Sequence, residues 1–245
     1  MNLLKKLLFP PKCAACHTLL NWYETQEADA LCPVCLDEWA RAKAVTCEIC
    51  GKPVIRCACL PDELQKAKCK SFRKLTYYHG GRRDCVQNRV IFRIKESRDM
   101  RIMKFLAREL TVAVKDSIDP NRETILTYTP RGRAAKLEYG TDQAQRLAKE
   151  LSHACGLSCV PMLQRSRRHD PEQKDLSPTA RKKNAKTAFS LLQNRDVKGK
   201  HVILVDDIVT TGNTLAAGAR LLYRAGAASV CCIAVSSDDV NREMI

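Results

Sequence analysis

The chain lacks any apolar run long enough to cross a bilayer: its longest, Val202-Ile203-Leu204-Val205 and Val230 to Val235, fall far short of the roughly 18–20 residues a spanning helix needs. Membrane insertion is therefore not expected. The opening, MNLLKKLLFPPKC, has too short an apolar stretch for a secretory signal and no small-residue cleavage site after it. A cytoplasmic protein is expected. Glycine and proline are scarce, 10 of each in 245 residues and without a period, which excludes collagen-like classes. Aromatic residues make up only 5%. Acids are the scarcer charge: 27 Asp and Glu face 42 Lys and Arg, leaving a net charge of +15. With 28% charged and 45% apolar residues the composition is globular, and the length allows one domain or two with a proper core.

Cysteine is abundant instead. Nine of the 14 fall between Cys13 and Cys69, as Cys13-x-x-Cys16, Cys32-x-x-Cys35, Cys47-x-x-Cys50, and then Cys57, Cys59 and Cys69. In a reducing compartment C-x-x-C pairs point to a metal, not to disulfides. Two thiolates separated by two residues can face one tetrahedral zinc ion from a tight knuckle, and two knuckles close a site. Cys13, Cys16, Cys32 and Cys35 have the spacing of one such site. Cys47 and Cys50 make a third knuckle, followed by Gly51 where a positive φ is commonly wanted. Its partners are Cys57 and Cys59 in a C-x-C, with Cys69 as a substitute ligand. One or two structural zinc ions are expected. His17 reads as a bystander, and Cys85, Cys155, Cys159, Cys231 and Cys232 as core or surface thiols.

Beyond Cys69 the pattern changes. Apolar residues recur at helical spacing from Val86 to Val114 and predict two helices separated around Glu96 to Asp99, with Arg82, Arg83, Arg89 and Arg93 among the basic residues interleaved on a solvated face. From Asp119-Pro120 strands and helices alternate: Glu123 to Thr129, Ser158 to Leu163, His201 to Asp206 and Ser229 to Ser236 read as strands, with helices over Asp142 to Cys155 and Asn213 to Ala225. Continuous apolar strands joined by helices indicate a parallel sheet covered on both faces, an α/β fold.

The segment His201 to Leu215, HVILVDDIVTTGNTL, carries the chemistry. A buried strand runs into two carboxylates, Asp206 and Asp207, and then through Thr210-Thr211-Gly212-Asn213-Thr214 into a helix. Such a turn offers backbone N–H groups, hydroxyls and the positive end of a helix dipole, a cradle for phosphate. Two acids would repel that phosphate. They suit a hydroxyl-rich group or a Mg²⁺ ion beside it.

An acidic pair followed by T-T-G-x-T is similar to the signature of type I phosphoribosyltransferases that binds phosphoribosyl pyrophosphate (PRPP). The whole chain resembles the bacterial ComF family. Leu7-Leu8-Phe9-Pro10-Pro11-Lys12-Cys13-x-x-Cys16, Cys47-x-x-Cys50-Gly51-Lys52-Pro53 and the run Arg165, Gln173, Leu176, Arg181, Asn184 and Phe189 carry that resemblance. It implies a double zinc-ribbon-like module over 1–70, a helical hood segment over 71–118 and a phosphoribosyltransferase-like domain over 119–245. It further implies PRPP or a related ribose phosphate as ligand, with the 5′-phosphate on Thr210 to Thr214 and the ribose hydroxyls on Asp206 and Asp207. Magnesium pyrophosphate would lie against Arg131 and Lys136, which with the two acids are the candidate catalytic residues. The chain departs from the family in reading Tyr128-Thr129-Pro130-Arg131 and Tyr139-Gly140-Thr141-Asp142-Gln143.

Charge is concentrated between residues 162 and 200, where eleven Lys and Arg face four acids. Such a segment can close over pyrophosphate as a lid or follow a nucleic-acid backbone. Arg165, Arg167, Arg168, Lys182 and Lys183 are the candidate nucleic-acid contacts. A phosphoribosyltransferase is therefore one expectation, and a single-stranded-DNA-binding protein or PRPP sensor on the same fold is the other. The family resemblance adds natural competence as the setting, with a competence helicase or other DNA-processing protein as partner.

Overall fold

The computed structural model describes residues 10–21, 29–80, 82–96, 99–131, 142–166, 189–193 and 196–238. Its centre is a five-stranded sheet, all pairs parallel: β1 (Phe72–Tyr78), β2 (Thr124–Tyr128), β3 (Ser158–Cys159), β6 (His201–Val209) and β7 (Ser229–Asp238), in the order β1-β7-β6-β2-β3. β4 (Leu163–Arg165) and β5 (Phe189–Leu191) form a separate antiparallel ribbon. The α/β class expected from the alternating pattern is therefore present. β1, from the segment expected to be helical, is an edge strand of the sheet.

Both faces are covered, which is why the central strands carry unbroken apolar runs. Along β6 the residues alternate: Ile203 and Val205 enter one core, Val202 and Leu204 the other. The first core lies under α3 (Val86–Glu96), α4 (Met100–Lys115) and α5 (Gln143–Cys155), through Val90, Ile91, Leu106, Leu110 and Leu147. The second lies under α6 (Asn213–Arg224), through Leu215, Ala216 and Leu222. Asp99 caps α4, accepting from the Arg101 amide, and Asp142 caps α5, accepting from the Gln145 amide.

The cysteine-rich segment is divided between the same two cores. Cys13, Ala14, Cys35 and Trp39, the last two on α1 (Pro33–Ala44), join the first core beside Phe105 and Leu106. Trp39 is fully buried, donates its indole N–H to Glu109 at 2.9 Å, and tilts against Phe105 with centroids 5.7 Å apart. Leu64 on the short helix α2 (Asp62–Lys66), with Ala67, Cys69 and Phe72, joins the second core. Cys69 lies 3.8 Å, sulfur to sulfur, from the buried Cys232.

Candidate functional site

The two cysteine clusters are built alike. In the first knuckle the Cys13 amide donates to the Thr18 carbonyl and the His17 amide to the Cys13 carbonyl; in the other the Cys47 amide donates to the Lys52 carbonyl and the Gly51 amide to the Cys47 carbonyl. The fifth position is left-handed in both, at φ +67° for Gly51 and φ +63° for His17. His17 thus holds a slot that usually asks for glycine. The sulfurs of Cys13, Cys16, Cys32 and Cys35 lie within 4.8 Å of one another, and so do those of Cys47, Cys50, Cys57 and Cys59. Tetrahedral Zn–S bonds of about 2.3 Å require sulfurs roughly 3.8 Å apart. The observed separations of 3.6 Å for Cys16–Cys32 and 3.4 Å for Cys47–Cys57 fit that.

Crowding makes four thiolates a poor arrangement without a cation. Burial, then the Cys50 and Cys57 sulfurs, push the Cys59 thiol up to about 12, while the neighbouring Thr18 hydroxyl pulls Cys16 down to about 6. Cys35 is raised in the same way, by burial and then by Cys16 and Cys32, so the thiols of either cluster cannot all ionise unless a cation joins them. Beside the second cluster the buried Lys74 places its ammonium 3.7 Å from Cys57 Sγ, between the rings of Phe72 and Tyr77 at 5.2 and 5.1 Å. A buried ammonium needs an anion. A zinc ion held by four thiolates carries a net charge of about −2 and supplies one.

The acidic pair sits within β6, which continues past it to Val209, not at the strand's end. Asp206 is buried against Thr129 and accepts the Asp207 amide at 2.9 Å. Burial, and then the neighbouring Asp207 charge, push its carboxyl well above the usual carboxylate range. Asp207 is the outward acid, and the Arg131 guanidinium holds it at 2.7 Å. Arg131 in turn donates its amide to Asp142, the cap of α5, at 3.0 Å.

Past Val209 the chain turns through exposed Thr210 and Thr211 to Gly212, whose φ of +76° precedes α6. Asn213 donates its side-chain amide to the Thr211 hydroxyl at 2.7 Å, and Thr214 stays exposed on the first turn of α6. A Cβ on Gly212 would meet Pro61 and Leu64 at ordinary contact distances, so the glycine answers to the backbone angle and not to a lack of space. Pro61 and Leu64 belong to the segment that directly follows Cys59. The segment after the second cysteine cluster is thereby the footing of the loop. Glu63 reaches Arg220 of α6 at 3.4 Å, and the Tyr223 hydroxyl donates to the Lys68 carbonyl at 2.7 Å.

Arg165, grouped by the sequence with the basic segment, lies on β4 at the mouth of this site. Its Nε–H donates to the Pro130 carbonyl at 3.3 Å, and its guanidinium lies 5.1 Å above the Phe189 ring. Burial lowers its pKa while the charges of Asp206 and Asp142 oppose that shift. Asp206, Asp207, Arg131 and Arg165 are therefore brought together with the 210–214 loop. The sequence offered no signal for Asp142 as the group that orients Arg131. Lys136, Arg167, Arg168, Lys182 and Lys183 lie outside the described residues. Arg165 and Phe189, on either side of the 167–188 stretch, pair across the β4/β5 ribbon.

Residues 139–244 match the phosphoribosyl transferase domain, and residues 4–71 match the double zinc ribbon domain. The chain is 33% identical over 129 residues to the DNA utilization protein YhgH of Salmonella typhi, a match covering 53% of this chain and 56% of that one. It is 31% identical over 142 residues to competence protein F of Haemophilus influenzae, covering 56% of this chain and 62% of that one. These matches span little more than half the length of either relative. An adenine phosphoribosyltransferase structure from Leishmania tarentolae covers 61% of this chain and 76% of its own at 19% identity, with a TM-score of 0.37.

Fold and site thus define a phosphoribosyltransferase-type α/β protein preceded by a double zinc ribbon. That pairing, with relatives named for DNA utilization and competence, is consistent with the ComF family.

Proposed function

We propose that this protein binds PRPP or a closely related ribose phosphate in the cleft at the carboxyl ends of β6 and β2, with Mg²⁺ accompanying the ligand. The observation that carries this reading is the order of groups along one connection: buried acid, outward acid, left-handed Gly212, then the N-terminus of α6, whose capping residue is that glycine and offers no side chain. The 5′-phosphate takes the amides of Gly212, Asn213 and Thr214 and the hydroxyls of Thr210 and Thr211. Ribose hydroxyls, or the metal they share, take Asp207. Asp206 stays buried behind it, accepting the Asp207 amide. The pyrophosphate takes Arg131, Arg165 and Lys136, with the basic stretch from Arg167 through Lys183 closing over it and replacing its water.

Arg131 holds Oδ2 of Asp207 and the Ile208 amide its Oδ1, and in this reading ligand binding transfers Arg131 from the acid to the incoming pyrophosphate. That exchange gives the site a way to couple the two halves of PRPP. Where turnover occurs, the same cations stabilise the departing pyrophosphate, and an oxocarbenium-like C1 is left for a nucleophile. The names of the relatives support a role in handling DNA during competence, in the cytoplasm, where reduced thiols are kept.

Calorimetric titration with PRPP and Mg²⁺ tests the reading, with Gly212→Val as the loop-defective control. A single saturable site lost in the control is expected. Absence of binding by the parent protein with its zinc retained overturns it.

A further inference from the structure

The helix read as a solvated basic face does not simply face water. Arg83, Arg89, Phe92, Arg93 and Glu96 of α3 and the turn before it close against Ala14, Ala15 and His17 of the first zinc knuckle, around a cleft of about 230 Å³. Three guanidiniums and one carboxylate line it. Arg89 is committed on one side, pairing with Glu38 of α1 at 2.6 Å, yet its buried Nε–H has no acceptor among the described residues. Neither Arg83 nor Arg93 forms an ion pair among them. Arg83 instead lies over the Phe92 ring, 4.9 Å from its centroid, and Tyr78 meets the same ring edge-on at 6.5 Å.

Two guanidiniums without an ion pair among the described residues, and an Nε–H without an acceptor among them, outweigh the one carboxylate, Glu96, in this concavity and call for an anion with several acceptor oxygens, which a phosphate group is. The guanidinium stacked on Phe92 adds a flat surface that a base can extend, and such stacking tolerates any base. A duplex keeps its bases turned inward and would leave that surface unused. We propose that this cleft, between the first zinc knuckle and α3, binds the sugar–phosphate backbone of single-stranded nucleic acid. Binding there is independent of the ribose-phosphate site. It also places nucleic acid away from Arg165, which donates to the Pro130 carbonyl and stacks on Phe189 at the other site.

The arginines could instead serve the metal centre, balancing the charge of a zinc tetrathiolate, and the test separates the two roles. In the zinc-loaded full chain Arg83→Gln and Arg93→Gln are combined, and fluorescence anisotropy of a labelled oligothymidylate is measured from low to moderate salt. Inorganic phosphate and thymidine monophosphate serve as competitors, and zinc content and PRPP calorimetry are recorded alongside. The expected result is at least a tenfold loss of oligonucleotide affinity, with the log–log salt slope shallower by about 0.7 for each phosphate that is no longer neutralised. Zinc content and PRPP binding stay at the parent level. Unchanged affinity and slope overturn the proposal. So does loss of zinc in the variant, which assigns the arginines to the metal centre, or displacement of the oligonucleotide by phosphate or the mononucleotide at matched phosphate concentration, which makes the cleft a small-anion site. Failure of PRPP to bind the parent protein leaves the oligonucleotide result standing, so the two readings fail separately.

Discussion

Gly212 turns the direction of its missing side chain onto Leu64, so that a Cβ there would lie 3.5 Å from Leu64 Cγ. The 210–214 loop thus rests on the segment that directly follows the second cysteine cluster. Leu64 is fully buried, and Leu60 alone separates Pro61 from the cluster's last cysteine, Cys59.

That contact sorts two substitutions by mechanism. Gly212→Val places a β-branched residue at φ +76°, at a cost of about 1–2 kcal/mol or more, and the loop relieves the strain by moving. Gly212→Asn keeps a side chain that tolerates the left-handed region and meets Leu64 only at ordinary distance. Phosphate affinity measured by calorimetry should be lost in the first and largely kept in the second. Equal loss in both would mean that space, not backbone angle, demands glycine.

Leu64→Ala should loosen the loop from beneath. Removing a fully buried leucine costs about 2–5 kcal/mol of stability, which urea unfolding reads directly. Phosphate affinity should fall in parallel at temperatures where the variant is still folded, and chelation of the second zinc should reproduce the fall in the parent. A loop unaffected by either change would show that the footing is incidental.

The two acids should separate when each is replaced by Asn. Burial, and then the Asp207 charge, push the Asp206 carboxyl toward its neutral form, so Asp206→Asn, of similar shape, should leave PRPP affinity little changed. Asp207→Asn frees Arg131 from its 2.7 Å partner. Inorganic pyrophosphate should then bind several-fold tighter while PRPP with Mg²⁺ binds more weakly. If the double variant binds PRPP with Mg²⁺ as well as the parent does, the acidic pair is not a ribose or metal site.

Lys74→Met should leave the fold intact and weaken the second metal site alone, because methionine fills the space between Phe72 and Tyr77 but brings no charge to Cys57. Losing a group that supports a metal ligand typically lowers affinity about 10–100-fold. Release of zinc to a chromogenic chelator should gain a faster phase of half the total amplitude. Uniform kinetics, unchanged from the parent, would remove Lys74 from the metal's surroundings.

His201 makes stability depend on pH. Its Nε2–H donates to the Ser117 carbonyl at 2.7 Å, and Nδ1 stands 2.6 Å from the Ser229 hydroxyl, deep in the core. Burial lowers its pKa below the usual 6.5. The unfolded chain therefore takes up a proton before the folded one does, and stability present above about pH 6.5 declines as pH falls toward the folded value. Urea midpoints compared at pH 7.5 and 5.5 should show a drop that His201→Gln reduces. An equal drop in the variant would assign the dependence to other groups.

What the sequence determined alone rests on local chemistry. Cysteine spacing selected the first four-sulfur cluster and the Cys47/Cys50 knuckle of the second, because a knuckle's geometry is contained in six residues. Unbroken apolar runs selected a parallel sheet, because only a strand buried on both faces can be apolar on both. The order of acids, threonines and glycine marked the 210–214 loop as the candidate phosphate cradle, because a strand, a turn and a helix start are consecutive in the chain. Tertiary structure decided everything that depends on residues distant in sequence. It placed Cys69 against Cys232 instead of a metal cluster, since packing and not spacing chooses a buried thiol's neighbour. It gave Asp207 to Arg131 and Arg165 to the mouth of the acid site, charges 76 residues apart in one case, whose pairing no local pattern encodes. It divided the cysteine-rich segment between the two cores of the sheet, because about 70 residues with few aromatics leave apolar surface that only the opposite part of the chain can cover.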